Sequence, residues 1–173
     1  MNKRIAAIIL IISTLVSSWI FWGSDVKVEQ VLTSREWQTN MNTLVYSDEA
    51  DKAIGPVSKV HVTSNVKYLP NGDYIRSSRM QIFNDDEEIS LTMNIAESGR
   101  WELSDNYLLI DPKEFKDSST TGESQDFTDA QLRMIKQVFI TDAQQSRRMD
   151  IINDNSILLT SLGHGSRVLV STP

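Results

Sequence analysis

No cysteine occurs in the 173 residues, which excludes disulfides, thiol nucleophiles and any metal site built on thiolates. An exported domain without disulfides must rely on its own core or on a partner. Histidine is nearly as scarce. His61 and His164 are far apart in sequence, and neither belongs to a His-Glu-x-x-His cluster. His61 falls on the wet face of a predicted strand and His164 sits between two glycines, so both are expected to be solvated or locally bonded. There is no glycine-rich phosphate loop, and Ser166 after Gly165 lacks the Gly-x-Ser-x-Gly elbow of a hydrolase. The acidic run Asp85-Asp86-Glu87-Glu88 lacks the glycine and the spaced oxygens of a calcium loop and reads as a solvated turn. No catalytic constellation, cofactor or metal is expected, and the chain reads as a non-enzyme.

Charge is missing from one long stretch. Ile5 to Trp22 carries none, and only Ser13, Thr14, Ser17 and Ser18 are polar within it. These 18 residues reach about 27 Å as a helix, close to the hydrocarbon thickness of a bilayer. Helical Ser and Thr can bond back to their own backbone, so four hydroxyls are tolerable. Lys3 and Arg4 favour a cytoplasmic N-terminus, and Trp19 and Trp22 suit the far headgroup zone. Residues 1–24 therefore read as a cytoplasmic N-terminus and transmembrane anchor, crossing through residues 5–22. A cleaved leader is the competing reading, with Val16 and Ser18 as the small residues. Against it, the apolar run continues through Trp22 and no Ala-x-Ala follows.

Residues 25–173 form one domain with room for a core. They hold 15 of the 17 bases and all 23 acids, a net charge of −8. Such a domain repels nucleic acid and anionic lipid.

Leu32 to Val45 is predicted helical: Thr33 and Glu36 make a capping box, and Trp37, Met41, Leu44 and Val45 recur at helical spacing. Tyr46 to Pro56 is a polar connector. The period then becomes two. Val60, Val62, Val66 and Tyr68 alternate with polar residues, and Pro70-Asn71-Gly72-Asp73 turns the chain into a strand from Tyr74 to Phe83. Asn84 to Glu88 makes the next turn, Ile89 to Ile95 alternates again, Ser98-Gly99 turns into Arg100 to Leu103, and Asp105-Asn106 turns into Tyr107 to Ile110. Lys113 to Asp126 reads as a polar loop. A second helix is predicted from Thr128 to about Ser146, with a Thr128/Gln131 capping box, a Leu132, Ile135, Phe139 stripe, and Arg147 and Arg148 near its C-terminal end. Strands at Met149–Ile152, Ile157–Leu162 and Arg167–Val170 follow. The fold class is mainly β with two helices: a transmembrane helix followed by an antiparallel β-barrel, closed or nearly so, because closure removes exposed edges.

Four stretches carry a resemblance: Val31-Leu32-Thr33-Ser34-Arg35-Glu36-Trp37, Asn65-Val66-Lys67-Tyr68-Leu69-Pro70-Asn71-Gly72, Asp142-Ala143-Gln144-Gln145-Ser146-Arg147-Arg148, and Leu159-Thr160-Ser161-Leu162-Gly163-His164-Gly165-Ser166-Arg167-Val168-Leu169. In these the chain resembles the ToxS family, inner-membrane accessory proteins of the ToxR transcriptional regulator of vibrios. The resemblance implies a periplasmic sensor or accessory domain at 25–173. It also implies a heterodimeric partner, the periplasmic domain of a ToxR-like regulator that the accessory protein shields from proteolysis, and a part in sensing bile acids. By analogy with a related two-protein bile sensor, the barrel is expected to be lipocalin-like and shared between subunits.

The expected ligand-binding residues are the apolar stripes that face inward: Val62, Val66 and Tyr68 with Val60 beside them, Met80 and Ile82, then Leu91, Met93 and Ile95, with Trp101 nearby. Methionine and aromatic side chains fit an irregular apolar ligand, although an ordinary packed core needs the same stripe. Arg76 and Arg79 are candidates for a ligand carboxylate. A stand-alone periplasmic carrier of bile or lipid is the alternative function.

Overall fold

The computed structural model describes residues 3–44, 57–84, 89–119, 127–161, 163 and 165–172. Helix α1 (Lys3–Thr33) leads into strands β1 (Glu36–Leu44), β2 (Lys59–Tyr68), β3 (Asp73–Phe83), β4 (Ile89–Ser104) and β5 (Tyr107–Ser119). Helix α2 (Asp129–Ala143) and strands β6 (Arg147–Asn153), β7 (Ser156–Ser161) and β8 (Gly165–Ser171) complete the chain. The eight strands form one closed barrel in consecutive order, every pair antiparallel. The predicted closure is present.

In α1 the large apolar side chains from Ile8 to Trp19 are exposed all round, Leu10 by 69% and Trp19 by 78%. Thr14 hides its hydroxyl against the Leu10 carbonyl at 2.8 Å. The side chains of 20–25 lie outside the described ones. Among the described residues no helix is long and apolar enough to cross a membrane.

Three expectations need correction. The predicted helix from Leu32 to Val45 is instead the end of α1 followed by β1, which pairs with β2 from Glu36↔Lys67 to Leu44↔Lys59. Trp37 and Met41 lie four residues apart, and four is a multiple of the strand period as well as near one helical turn, so the spacing fits both. Thr33 caps nothing; its hydroxyl bonds back to the Glu29 carbonyl at 2.8 Å. Ser98-Gly99 is no turn but a register shift within one long β4. A Cβ at Gly99 would sit 2.3 Å from the Asp111 carbonyl oxygen, so the bend needs a residue without a side chain. The polar stretch from Lys113 is strand as far as Ser119, pairing with Met93 to Ser98 of β4. The connector 46–56, the acidic run 85–88, the loop residues 120–126, Leu162 and His164 lie outside the described residues.

The turn at Pro70–Asp73 is present, but only Gly72 has positive φ there, +83°. Its carbonyl accepts from the Trp101 backbone N–H at 2.8 Å, tying the hairpin to β4. The left-handed pair that a two-residue hairpin needs lies at Asp105 (φ 52°) and Asn106 (φ 64°), between β4 and β5. On α2 the predicted capping box forms: Thr128 Oγ1 accepts from the Gln131 N–H, and Gln131 Oε1 accepts from the Thr128 N–H.

Buried side chains fall into two clusters. The first takes Trp37 from β1, Val66 and Tyr68 from β2, Tyr74 from β3, Trp101 from β4, Leu108 and Ile110 from β5, Met149 from β6, Ile157 and Leu159 from β7, and Leu169 from β8. Leu32 at the end of α1 closes it, fully buried, while its carbonyl accepts from Trp37 Nε1–H at 2.8 Å. The second cluster joins Val62, Met80, Ile82, Leu91, Met93 and Ile95 of β2–β4 to Ile135 and Phe139 of α2, with Val57 and Phe127 at its edge.

Candidate functional site

All nine predicted ligand-facing residues are buried and point into the barrel. The structure does not gather them into one chamber. Val66, Tyr68 and Trp101 belong to the first cluster, with the Tyr68 and Trp101 rings edge-on at 5.7 Å. Val62, Met80, Ile82, Leu91, Met93 and Ile95 belong to the second.

Between the clusters lies a polar layer. Ser64 and Ser78, paired across β2 and β3, share a buried hydrogen bond of 2.8 Å. Beside them Arg76 faces Glu97 on the neighbouring strand, Nη1 to Oε2 at 3.5 Å, with the Glu97 side chain 1% exposed. The Tyr74 hydroxyl donates to Glu97 Oε1. From the other wall, Arg147 of β6 and Arg167 of β8 converge on Asp142 in the last turn of α2, at 3.1 Å and 2.6 Å. Arg147 also donates to the Asp142 carbonyl at 2.6 Å. It thus neutralises the C-terminal end of α2, as the sequence anticipates, but from the start of a strand. Arg148 points outward and pairs with Asp150 at 3.2 Å.

These charges perturb one another. Burial lowers the Arg147 pKa; Asp142 opposes this, while Arg167 and Arg76 push it further down. Burial raises Tyr68, with Arg76 and Arg147 pulling the other way. Tyr74 is raised by burial and by its bond to Glu97. Among the described residues three buried oxygens, Thr39 Oγ1, Asn65 Oδ1 and Glu97 Oε2, have no hydrogen-bond partner.

An interior cavity of about 40 Å³ lies against Arg76, Arg147, Arg167, Asp142, Tyr68 and Phe139. It has room for a few waters or one carboxylate group, and a site for a drug-sized ligand needs about 300 Å³ or more. The larger hollow, about 360 Å³, is an open groove lined by Lys67, Ile75, Ser77 and Ala96 together with Arg76 and Glu97, and none of the nine predicted residues lines it.

Of the two arginines proposed from sequence, Arg76 faces the interior. Arg79 is on the outer face, where its Nε donates to Asn94 Oδ1 at 3.4 Å. Arg147, Arg167, Asp142 and Glu97 were missed. Position along the strand is the signal for three of them: Glu97, Arg147 and Arg167 occupy the same alternation as Ile95, Met149 and Leu169, so each is a charge on an apolar face. His61 is on the outer side, bonded to Asn42 and Thr63. Among the described residues no group of acids and histidines is placed to hold a metal.

A closed antiparallel barrel with a mixed apolar and charged interior, preceded by the 31-residue helix α1, has the form of a binding or regulatory module. The chain belongs to the ToxS family: residues 21–170 match the family described as trans-membrane regulatory protein ToxS. It is 57% identical over 170 residues to the transmembrane regulatory protein ToxS of Vibrio cholerae serotype O1, covering 98% of each chain. To the protein of the same name from Vibrio parahaemolyticus serotype O3:K6 it is 54% identical over 169 residues, again covering 98% of each. It is thus a membrane-associated regulatory protein with a β-barrel domain.

Proposed function

We propose that the chain is a non-enzymatic accessory subunit of the inner membrane that binds the periplasmic domain of a ToxR-like transcriptional regulator, protects it from proteolysis and shares in sensing bile acids. The observation that carries this reading is a pair of half-used strands. Among the described residues β1 meets β8 only at Trp37 and Gln38, and from Thr39 to Leu44 it has β2 alone as a strand neighbour. Among the described residues β5 meets β6 only at Tyr107 and Leu108, and from Leu109 to Ser119 it has β4 alone. Two unpaired edges thus flank the same half of the barrel, and strand addition by a partner satisfies such edges.

The uncharged run through residues 5–22 and the all-round exposure of α1 support a single crossing, since a helix apolar on every face belongs in a core or a membrane. Lys3 and Arg4 favour a cytoplasmic N-terminus, with residues 25–173 in the periplasm. The bile-sensing part draws on the methionine-rich stripe of Met80, Met93 and their neighbours. The small cavity weighs against the stand-alone carrier: in the barrel as folded, about 40 Å³ is too little for a bile acid.

The test is co-expression of the full chain with the regulator in membranes. The expected result is co-purification, a longer regulator half-life under protease challenge, and slowed amide exchange at residues 39–44 and 109–119. An unchanged half-life, with no slowing at those edges, refutes the reading.

A further inference from the structure

The chain is acidic, with a net charge of −6, yet its barrel interior is not. Three guanidiniums meet around the inner cavity, those of Arg76, Arg147 and Arg167, against two carboxylates, Glu97 and Asp142. Glu97 is committed to Arg76 and the Tyr74 hydroxyl. Among the described residues Asp142 alone serves both remaining arginines, and it reaches them from α2, not from the barrel wall. Burying a surplus cation is costly unless something anionic joins it. The side chain that walls the cavity on the same helix is Phe139, one turn before Asp142. Helix α2 therefore presents to the barrel an apolar ring and a carboxylate side by side, the two features of an amphipathic organic acid.

We propose that Arg147 and Arg167, with Arg76 nearby, form an anion seat inside the barrel, that Asp142 occupies it as a built-in substitute ligand, and that an amphipathic carboxylate or sulfonate takes the seat by displacing Asp142 and with it α2. This rests on the ligand-binding part of the reading above and names the chemical group recognised and the element that moves. The acid group replaces the Asp142 carboxylate between the two guanidiniums, where charge-assisted bonds are strongest. The apolar body replaces Phe139 and Ile135 against Met80, Met93 and Val62. Removing α2 opens the second cluster, which is the volume the 40 Å³ cavity lacks. The unpartnered Thr39 Oγ1, on the same cavity, is available to accept a hydroxyl of the ligand.

The test uses the full chain in phosphatidylcholine nanodiscs, with empty discs as blank, and two probes: deoxycholate below its micelle concentration, and the uncharged methyl ester of deoxycholic acid. Binding is read by equilibrium dialysis. Asp142→Asn removes the internal competitor and is expected to tighten deoxycholate binding about fivefold, while Arg167→Gln weakens it about tenfold and the ester changes less than about twofold in either variant. Arg147 is the most buried of the three, so Arg167→Gln and Arg76→Gln, whose parent side chains are 20% and 12% exposed, carry the test if Arg147→Gln fails to fold. Amide exchange gives a second readout: α2 is expected to exchange faster in Asp142→Asn and in the wild type with deoxycholate. Weaker or unchanged deoxycholate binding by Asp142→Asn overturns the seat, because a purely structural Asp142 gives that result. Equal affinity for acid and ester across all variants also overturns it, while leaving the ligand reading intact. Binding of neither probe removes both.

Discussion

At the end of the barrel next to α1, every strand from β1 to β8 sends at least one side chain into a common core, and Leu32 seals the bottom. At the other end the wall is β2 to β4 with edge contributions from Met41 and Phe115, and the strands β6 to β8 supply nothing to the described core. Length is the cause. β6, β7 and β8 have 7, 6 and 7 residues, whereas β2 to β5 have 10 to 16. At about 3.4 Å per residue the short strands stop roughly halfway up the long ones. The vacancy in the wall is filled by α2, held by Ile135, Phe139, Ala143 and the arginine pair on Asp142. One half is bound by backbone ladders on all sides. The other depends on a helix whose outer face still exposes Met134 and Val138. Local opening is cheapest where few backbone bonds must break, so the α2 half is the part able to move.

Trp37→Ala is the most severe way to probe this contrast. The indole is fully buried, and its N–H holds the end of α1. The expected loss is about 4 kcal/mol, seen by denaturant unfolding as a fall in global stability. Phe139→Ala removes a comparable ring from the other half, but the helix can release instead of the barrel. A global loss of about 2 kcal/mol or less is expected, with fast amide exchange confined to α2. A loss as large as that of Trp37→Ala means that the two halves are one cooperative core. Thr128→Ala is the finest probe, since it touches α2 alone through its capping box. A cost of about 1 kcal/mol is expected, visible as fraying of α2 with the exchange of β2 to β4 unchanged; parallel loosening of those strands refutes the division.

The long strands of the barrel were largely legible in the sequence because they alternate cleanly, as in Val60 to Tyr68 and Ile89 to Ile95. β1 was hidden by an arithmetic coincidence, since Trp37 and Met41 satisfy both periods. The second half of β5 was hidden by its composition: Lys113, Glu114 and Lys116 lack the apolar alternation of a strand packed on both sides, because this stretch is a half-used edge. The polar layer was hidden by distance. Asp142, Arg147 and Arg167 are close in space but reach the interior from a helix and two different strands. A charge on an inward position is visible in sequence, whereas its partner across a barrel is not.

Helix α1 runs without interruption from Lys3 to Thr33 and ends with its last leucine buried in the barrel. That continuity fixes an azimuth. The α2 side of the barrel points in one set direction around the axis of the apolar segment, and each residue added or removed between Gly23 and Gln30 swings that direction by about 100° and shifts the barrel by about 1.5 Å. A neighbour standing beside α1 thus meets either the half-used edges or the closed wall, according to helical phase alone.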